Sequence, residues 1–371
     1  LTMSDQNNPL LQDFDLPPFS AIKPEHVKPA VEQLIRDCKA AIETAVSEPA
    51  PTWENLILST DVTDDRLGKA WSPVSHMNSV ISSDELREAY ESCLPMLSEY
   101  STWVGQHKGL YEAFQTLADS DEYDTLNTAQ KKVIDNALRD FKLSGVDLPE
   151  AKQKRYGEIQ ARKSEISSKF SNNVLDATSA WQKHITDERE LAGLPDSAIA
   201  AAKQMAGMKE LDGWLFTLDF PSYLPVMTYS DNASLREEMY TAFCTRASDR
   251  GPNANEFDNS EIMDELLKLR HELALLLGFE TYAESSLATK MAESPEQVLG
   301  FLNELADKSH PQAEQEVNEL TQFAKDECGA DELNPWDYAY FGEKLKQAKY
   351  SISDEELRPY FPEDRVLAGL F

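Results

Sequence analysis

Apolar residues recur at steps of three and four along most of this chain, the period of helices with one buried face. From Pro24 onward, Val27, Val31, Leu34, Cys38, Ile42 and Ala45 lie on one stripe, which Pro49 and Pro51 close. A second pattern opens at Thr52-Trp53-Glu54-Asn55 and runs past Leu67, and a third carries Leu86, Tyr90, Cys93 and Leu97. Shorter helices are expected over 109–118 and 127–143. A long one is expected from Pro149 to about His184, because Tyr156, Ile159, Ile166, Phe170, Val174, Ala177 and Trp181 keep the period for more turns than a globular helix usually needs.

The pattern changes at Gly213. Trp214, Phe216, Leu218 and Phe220 alternate with Leu215, Thr217 and Asp219, a strand period that Pro221 ends, and Val226 to Tyr229 offers a second short strand. Together they predict one small β-hairpin near 214–229. Helical spacing then resumes. Ser234 and Glu237 have the spacing of a capping box, 249–259 has turn chemistry, and Ser294-Pro295-Glu296-Gln297 opens a helix in which Pro311 is expected as a kink or break. The fold class is therefore all-α: mainly helical, with that one hairpin, on a scaffold of long helices. The low glycine count of 14 agrees with it.

The stretch from Asp258 to Gly278 raises the question of chemistry. Asp258 or Ser260 can cap the helix, Glu261 lies in its first turn and Gly278 follows its last leucine as a C′ residue. It contains His271-Glu272-Leu273-Ala274-Leu275, one residue away from the zinc motif H-E-x-x-H. That motif needs two imidazoles one turn apart on one face, and Leu275 cannot ligate. At about 100° per residue, His271 lies about 180° from Ile262, opposite the stripe of Ile262, Leu266, Leu269, Leu273 and Leu276. His271 and Glu272 are read as the polar side of a scaffold helix.

Composition narrows the partners. The formal charge of −31 argues against nucleic acid and anionic membrane, which both need a basic footprint. It would attract cationic ligands such as basic peptides, although acids spread along the whole chain serve solubility first. No apolar run is long enough to cross a bilayer, and Leu1 to Leu11 lacks the charge and apolar order of a secretory signal. Cys38, Cys93, Cys244 and Cys328 are widely spaced and read as reduced cytoplasmic thiols.

Of the six histidines, His184 with Glu188 and His310 with Glu314 have i, i+4 spacing, which reads as surface pairing. The acids from Asp119 to Asp124 lack the glycine-centred order of a calcium loop and are expected to be exposed loop. There is no nucleophile elbow, phosphate-binding loop or dinucleotide fingerprint. The residues alone thus assign no catalytic, cofactor-binding, metal or substrate-binding position. Leu1-Thr2 before Met3 reads as a cloning remnant. At the other end Val366, Leu367, Leu370 and Phe371 begin a new stripe just as the chain stops, so a fragment of a longer protein is expected.

Several stretches resemble the thimet oligopeptidase and neurolysin family of zinc metallopeptidases. They are Ala137-Leu-Arg-Asp-Phe-Lys-Leu-Ser-Gly-Val-Asp-Leu-Pro149, Phe170-Ser-Asn-Asn-Val-Leu-Asp-Ala-Thr178, Leu224-Pro-Val-Met-Thr-Tyr229, Arg270 to Gly278, Lys290-Met-Ala-Glu-Ser-Pro295, Pro335-Trp-Asp-Tyr-Ala-Tyr340 and Glu355-Glu-Leu-Arg-Pro-Tyr-Phe-Pro362. The resemblance implies two mostly helical halves around a deep channel that admits short peptides, a cytoplasmic monomer, and a zinc held by H-E-x-x-H with a later glutamate. It implies a helical region over 1–225 and an incomplete peptidase domain over 226–371. The zinc and the catalytic residues are expected beyond Phe371, so zinc belongs to the full-length enzyme and this chain alone should be inactive. The competing expectation is a non-catalytic helical protein that binds peptides or another partner.

Overall fold

The computed structural model describes residues 7–371, so the reading of Leu1-Thr2 lies outside the described residues. Helix makes up 74% of the described residues, as the fold class predicts. The chain divides into two compact units, one formed by 1–170 with 262–290 and the other by 171–261 with 291–371.

The first unit begins with α1 (Pro24–Val46), a π-helical turn (Trp53–Leu58), α2 (Ser59–Val80) and α3 (Asp84–Gly105). α4 (Lys108–Ala118), α5 (Asp121–Thr125), α6 (Thr128–Leu143) and the larger part of α7 (Glu150–Ala180) follow. The acids read as exposed loop thus start a short helix at Asp121 instead. The predicted stripe of α1 is divided between two clusters. Val27, Val31 and Leu34 pack with Val74 and Cys93 of α2 and α3, whereas Ile42 and Ala45 pack with Leu110, Leu117, Ile134 and Phe141 of α4 and α6. Each such leucine or isoleucine withdrawn from water contributes roughly 1.5–3 kcal/mol. A third cluster joins Tyr156, Ile159 and Ile166 of α7 to Ile262, Leu269 and Leu273 of α11 (Ser260–Leu276), the next helix of this unit, which α12 (Tyr282–Leu287) follows.

The second unit holds β1 (Gln182–Ile185), α8 (Asp196–Met208), β2 (Trp214–Thr217), α9 (Phe220–Tyr229) and α10 (Ala233–Cys244). It continues with α13 (Pro295–Cys328), α14 (Tyr338–Tyr350), α15 (Asp354–Leu357) and α16 (Glu363–Leu370). The predicted strand at 214 exists, but its partner is not 226–229. β2 pairs antiparallel with β1, Gln182 opposite Thr217 and Ile185 opposite Trp214. Residues 226–229 instead complete α9, whose buried Tyr223, Val226 and Met227 have i, i+3, i+4 spacing. Pro221 is accepted in the first turn of that helix, where its missing N–H costs nothing.

Three boundaries also differ from the sequence pattern. α7 stops at Ala180 and not near His184, because Gln182–Ile185 forms β1. The cap of α10 is Asn232, whose side chain accepts from the Leu235 N–H at 3.2 Å, and not Ser234. α13 runs unbroken through Pro311 for 34 residues. The carbonyl one turn earlier, at Asp307, lies on an exposed stretch open to solvent, so the helical bond that proline removes there costs little. Ser294 caps the start of α13 as expected, and Gly329, at φ 72°, ends it.

Candidate functional site

Helix α11 sorts its side chains as the angular argument requires. Ile262, Leu269 and Leu273 are buried, and His271 is exposed on the opposite side. Asp258 accepts from the N–H and hydroxyl of Ser260 at the entrance, which holds its carboxyl below the ordinary range. Gly278 leaves the helix at φ 86°.

Glu272 is neither free nor poised as a base. Arg155 of α7 grips both its oxygens, Nε at 2.7 Å and Nη2 at 2.8 Å. Two turns away Arg162 holds Glu265 in the same bidentate way, at 2.6 and 2.9 Å. The seven-residue spacing on both helices makes this a ladder across the α7/α11 contact, with the leucine cluster beside it. In each rung the arginine hydrogen bond is the main cause that lowers the glutamate pKa. Because the folded values lie below the unfolded ones, the stabilisation is complete above the ordinary glutamate pKa of about 4.3 and is lost as pH falls through the lowered values. These side chains are 38–44% exposed, so solvent screening keeps the effect small. A Glu265→Gln/Glu272→Gln variant is expected to be less stable than the parent at pH 6. The gap should narrow toward about pH 3, as protonation of the two carboxylates begins to release the arginines. Urea titrations that gave equal gaps at both pH values would show the ladder to be inert.

The two histidines with a glutamate at i, i+4 spacing differ in outcome. His310 Nδ1 stands 3.7 Å from Glu314 in the expected exposed pair. His184 lies on β1 and Glu188 in a later 3-10 turn, so they share no helical face, and His184 Nε2 sits instead against the Asp212 carbonyl oxygen. Among the described residues no three His, Cys, Asp or Glu side chains are grouped to hold a metal ion. With Leu275 exposed and non-ligating, and Glu272 bound to Arg155, this donor set does not fit zinc. The four cysteines are free.

Two features went unread in the sequence. Arg236 and Asp337, 2% and 5% exposed, form a buried ion pair at 2.7 Å in the second unit, with Tyr340 stacked on the guanidinium. A cleft of about 560 Å³ in the first unit holds Lys163 among serine hydroxyls. Exposed apolar stripes are the third notable feature. On α13 Leu299, Phe301, Leu302 and Leu305 are 49–61% exposed, and only Ala324 of that helix is buried. Val366, Leu367 and Leu370 of α16 are similarly open.

Comparison with known proteins supplies what the side chains leave open. "Neurolysin/Thimet oligopeptidase, N-terminal domain" matches residues 31–153, and "Peptidase family M3" matches 226–371. The chain belongs to the thimet oligopeptidase and neurolysin family of metallopeptidases, members of which are zinc-dependent. Within that family it is similar to bacterial oligopeptidase A: it is 64% identical over 365 residues to the Salmonella typhimurium protein, covering 98% of this chain and 54% of that one. The Escherichia coli oligopeptidase A matches with the same identity and coverage. The Arabidopsis thaliana "Probable cytosolic oligopeptidase A" is 38% identical over 374 residues, 98% of this chain and 52% of its own length. The chain spans about half the length of the curated relatives it matches.

Proposed function

We propose that this chain is the N-terminal portion of a zinc metallo-oligopeptidase that hydrolyses short peptides within a deep channel. Its part is scaffold and channel wall. The observation that carries the reading is the 64% identity to oligopeptidase A along 98% of the chain, with only 54% of that protein spanned. The zinc, its H-E-x-x-H ligands and the general base are assigned to the remaining portion, and no residue of this chain takes a chemical step. The open stripes of α13 and α16 support this division, since amphipathic helices leave such faces wet only when a further layer is meant to cover them. A helical region over 1–225 and a peptidase domain starting at 226 accord with the first residue of the family M3 match.

The ligands in this proposal are short peptides, in keeping with the oligopeptidase relatives. The net charge of −31 disfavours nucleic acid. Cytoplasmic residence as a monomer belongs to the same reading. The Arabidopsis relative's name supports the compartment, and among the described residues no helix is long and apolar enough to cross a membrane.

The test compares the purified chain with the protein encoded by the same reading frame carried past Phe371. The chain is expected to hold no stoichiometric zinc by metal analysis and to leave a quenched oligopeptide uncut. The longer protein is expected to cleave it, to stop when chelated and to recover with zinc. Zinc-dependent turnover by the chain alone would sink the assignment of the active site, and a frame without H-E-x-x-H would sink the peptidase reading.

A further inference from the structure

The cleft of about 560 Å³ lies within the first unit, between α3 and α7, and is closed on one side by Trp71 of α2. The two helices approach closely enough that a Cβ on Gly157 would meet Thr102 Cγ2 at 3.3 Å, and Gln106 Nε2 donates to the Gln153 carbonyl at 3.2 Å. In a chain with 66 acidic residues the cleft is lined by no carboxylate at all. Its one charge is Lys163.

That lysine has no ion-pair partner and only a 3.3 Å contact with Gln160 Oε1, whose amide nitrogen in turn donates to the Tyr156 hydroxyl at 2.9 Å. Burial pushes its pKa down, and the charge of Arg270 pushes it the same way. Arg270 also lacks a carboxylate partner. Its guanidinium faces the Tyr282 ring at 5.2 Å, and its buried Nε has no hydrogen-bond acceptor. A second cation nearby raises the energy of the Lys163 ammonium, and an anion bound in the cleft would relieve it.

The hydroxyls in the cleft point to the same ligand. Several helical hydroxyls elsewhere in this protein fold back on the preceding turn, as Thr116 does on Glu112 O at 2.9 Å and Thr178 on Val174 O at 2.8 Å. Ser98, Ser101, Ser164 and Ser167 line the cleft and make no such bond, so their donors are unspent. Trp71, Leu94 and Leu97 add apolar surface to the lining.

We propose that this cleft binds the carboxylate end of a small ligand with an apolar side chain, Lys163 and the serine hydroxyls holding the carboxylate and Trp71, Leu94 and Leu97 taking the side chain. A free N-acyl amino acid and the C-terminal residue of a short peptide share this chemistry. The site does not rest on the peptidase reading, because it needs neither zinc nor turnover.

Calorimetric titration of the full chain with N-acetyl-leucine tests it, with N-acetyl-leucinamide, inorganic phosphate and an acetylated tripeptide ending in leucine as further arms. The acid is expected to bind about 10- to 100-fold more tightly than the amide, the difference a charge-assisted hydrogen bond makes. Lys163→Gln should lose a similar factor and Lys163→Arg should keep most of the affinity. Ser98→Trp, which fills the cleft without touching the charge, should abolish binding. Equal binding of tripeptide and single residue assigns a peptide C-terminus, and binding of the single residue alone assigns a small acid; both outcomes uphold the site. Equal affinity for acid and amide, a preference for phosphate, or an unaltered Kd in a folded Lys163→Gln protein overturns it.

Discussion

Replacing Asp337 with alanine is expected to destabilise the second unit by about 3–5 kcal/mol, the usual cost of stripping one partner from a buried ion pair. The side chains leave little room for compensation. Asp337 Oδ1 accepts from Arg236 Nη2 at 2.7 Å, and its Oδ2 accepts from the Asn334 N–H at 2.9 Å. The guanidinium also donates to the carbonyls of Ser230, at 2.5 Å, and Trp336, at 3.2 Å, and its carbon lies 4.0 Å from the Tyr340 ring centroid. Those carbonyls and the ring solvate the cation but do not neutralise it. Alanine would leave a charge that is 2% exposed facing an empty acceptor site. Urea unfolding followed by tryptophan fluorescence, with Trp336 beside the site, measures the loss. The double change Arg236→Met/Asp337→Leu should cost clearly less than Asp337→Ala, because it removes the charge together with its partner. A single-variant loss below about 1 kcal/mol would mean that water reaches the guanidinium.

That pair also shows where the sequence stops being readable. Arg236 and Asp337 lie 101 residues apart, each in a helical or turn context that is unremarkable alone. No local period encodes a contact at that range. Helices, by contrast, were legible because their period is local: α1, α6, α11 and α13 begin and end close to where caps, prolines and glycines place them. The exposed, polar-face position of His271 was legible for the same reason, since its angle to Ile262 depends only on the helix pitch. The link from Glu272 to Arg155 spans 117 residues and was not.

The ribbon failed in an instructive way. Gln182-Lys183-His184-Ile185 carries one apolar residue, and Ala177, Trp181 and Ile185 continue the four-residue step of α7, so the local pattern favours more helix. Val226 to Tyr229 has β-prone residues, but burial of Tyr223, Val226 and Met227 on one helical face outweighs that preference. The cleft around Lys163 was invisible too. Its lining comes from three helices and the turn at Ser144, and in sequence Lys163 is one more polar position on a long amphipathic helix.

Gly213→Ala is expected to cost about 2–5 kcal/mol, combining about 1–2 for a left-handed alanine with about 1–3 for the forced steric shift. Gly213 sits at φ 81° immediately before β2. A Cβ there would collide with the Ile185 carbonyl oxygen and stand 3.2 Å from Thr186 Cα, both backbone atoms that cannot rotate away. To make room, the end of β1 must move from β2, and Ile185 opposite Trp214 is the pair that opens first. The consequence reaches the core, because Ile185 and Phe216 are buried in one cluster with Leu218 and Val226. Gly68→Ala in α2 is the matched control. Nothing lies within 4 Å of its added Cβ, and relief from glycine's backbone entropy should stabilise the chain by roughly 0.5–1 kcal/mol. Opposite signs in urea denaturation, with amide exchange at Ile185 and Trp214 accelerated only in Gly213→Ala, are the expected result. If both glycines behaved alike, the ribbon would not be what requires Gly213.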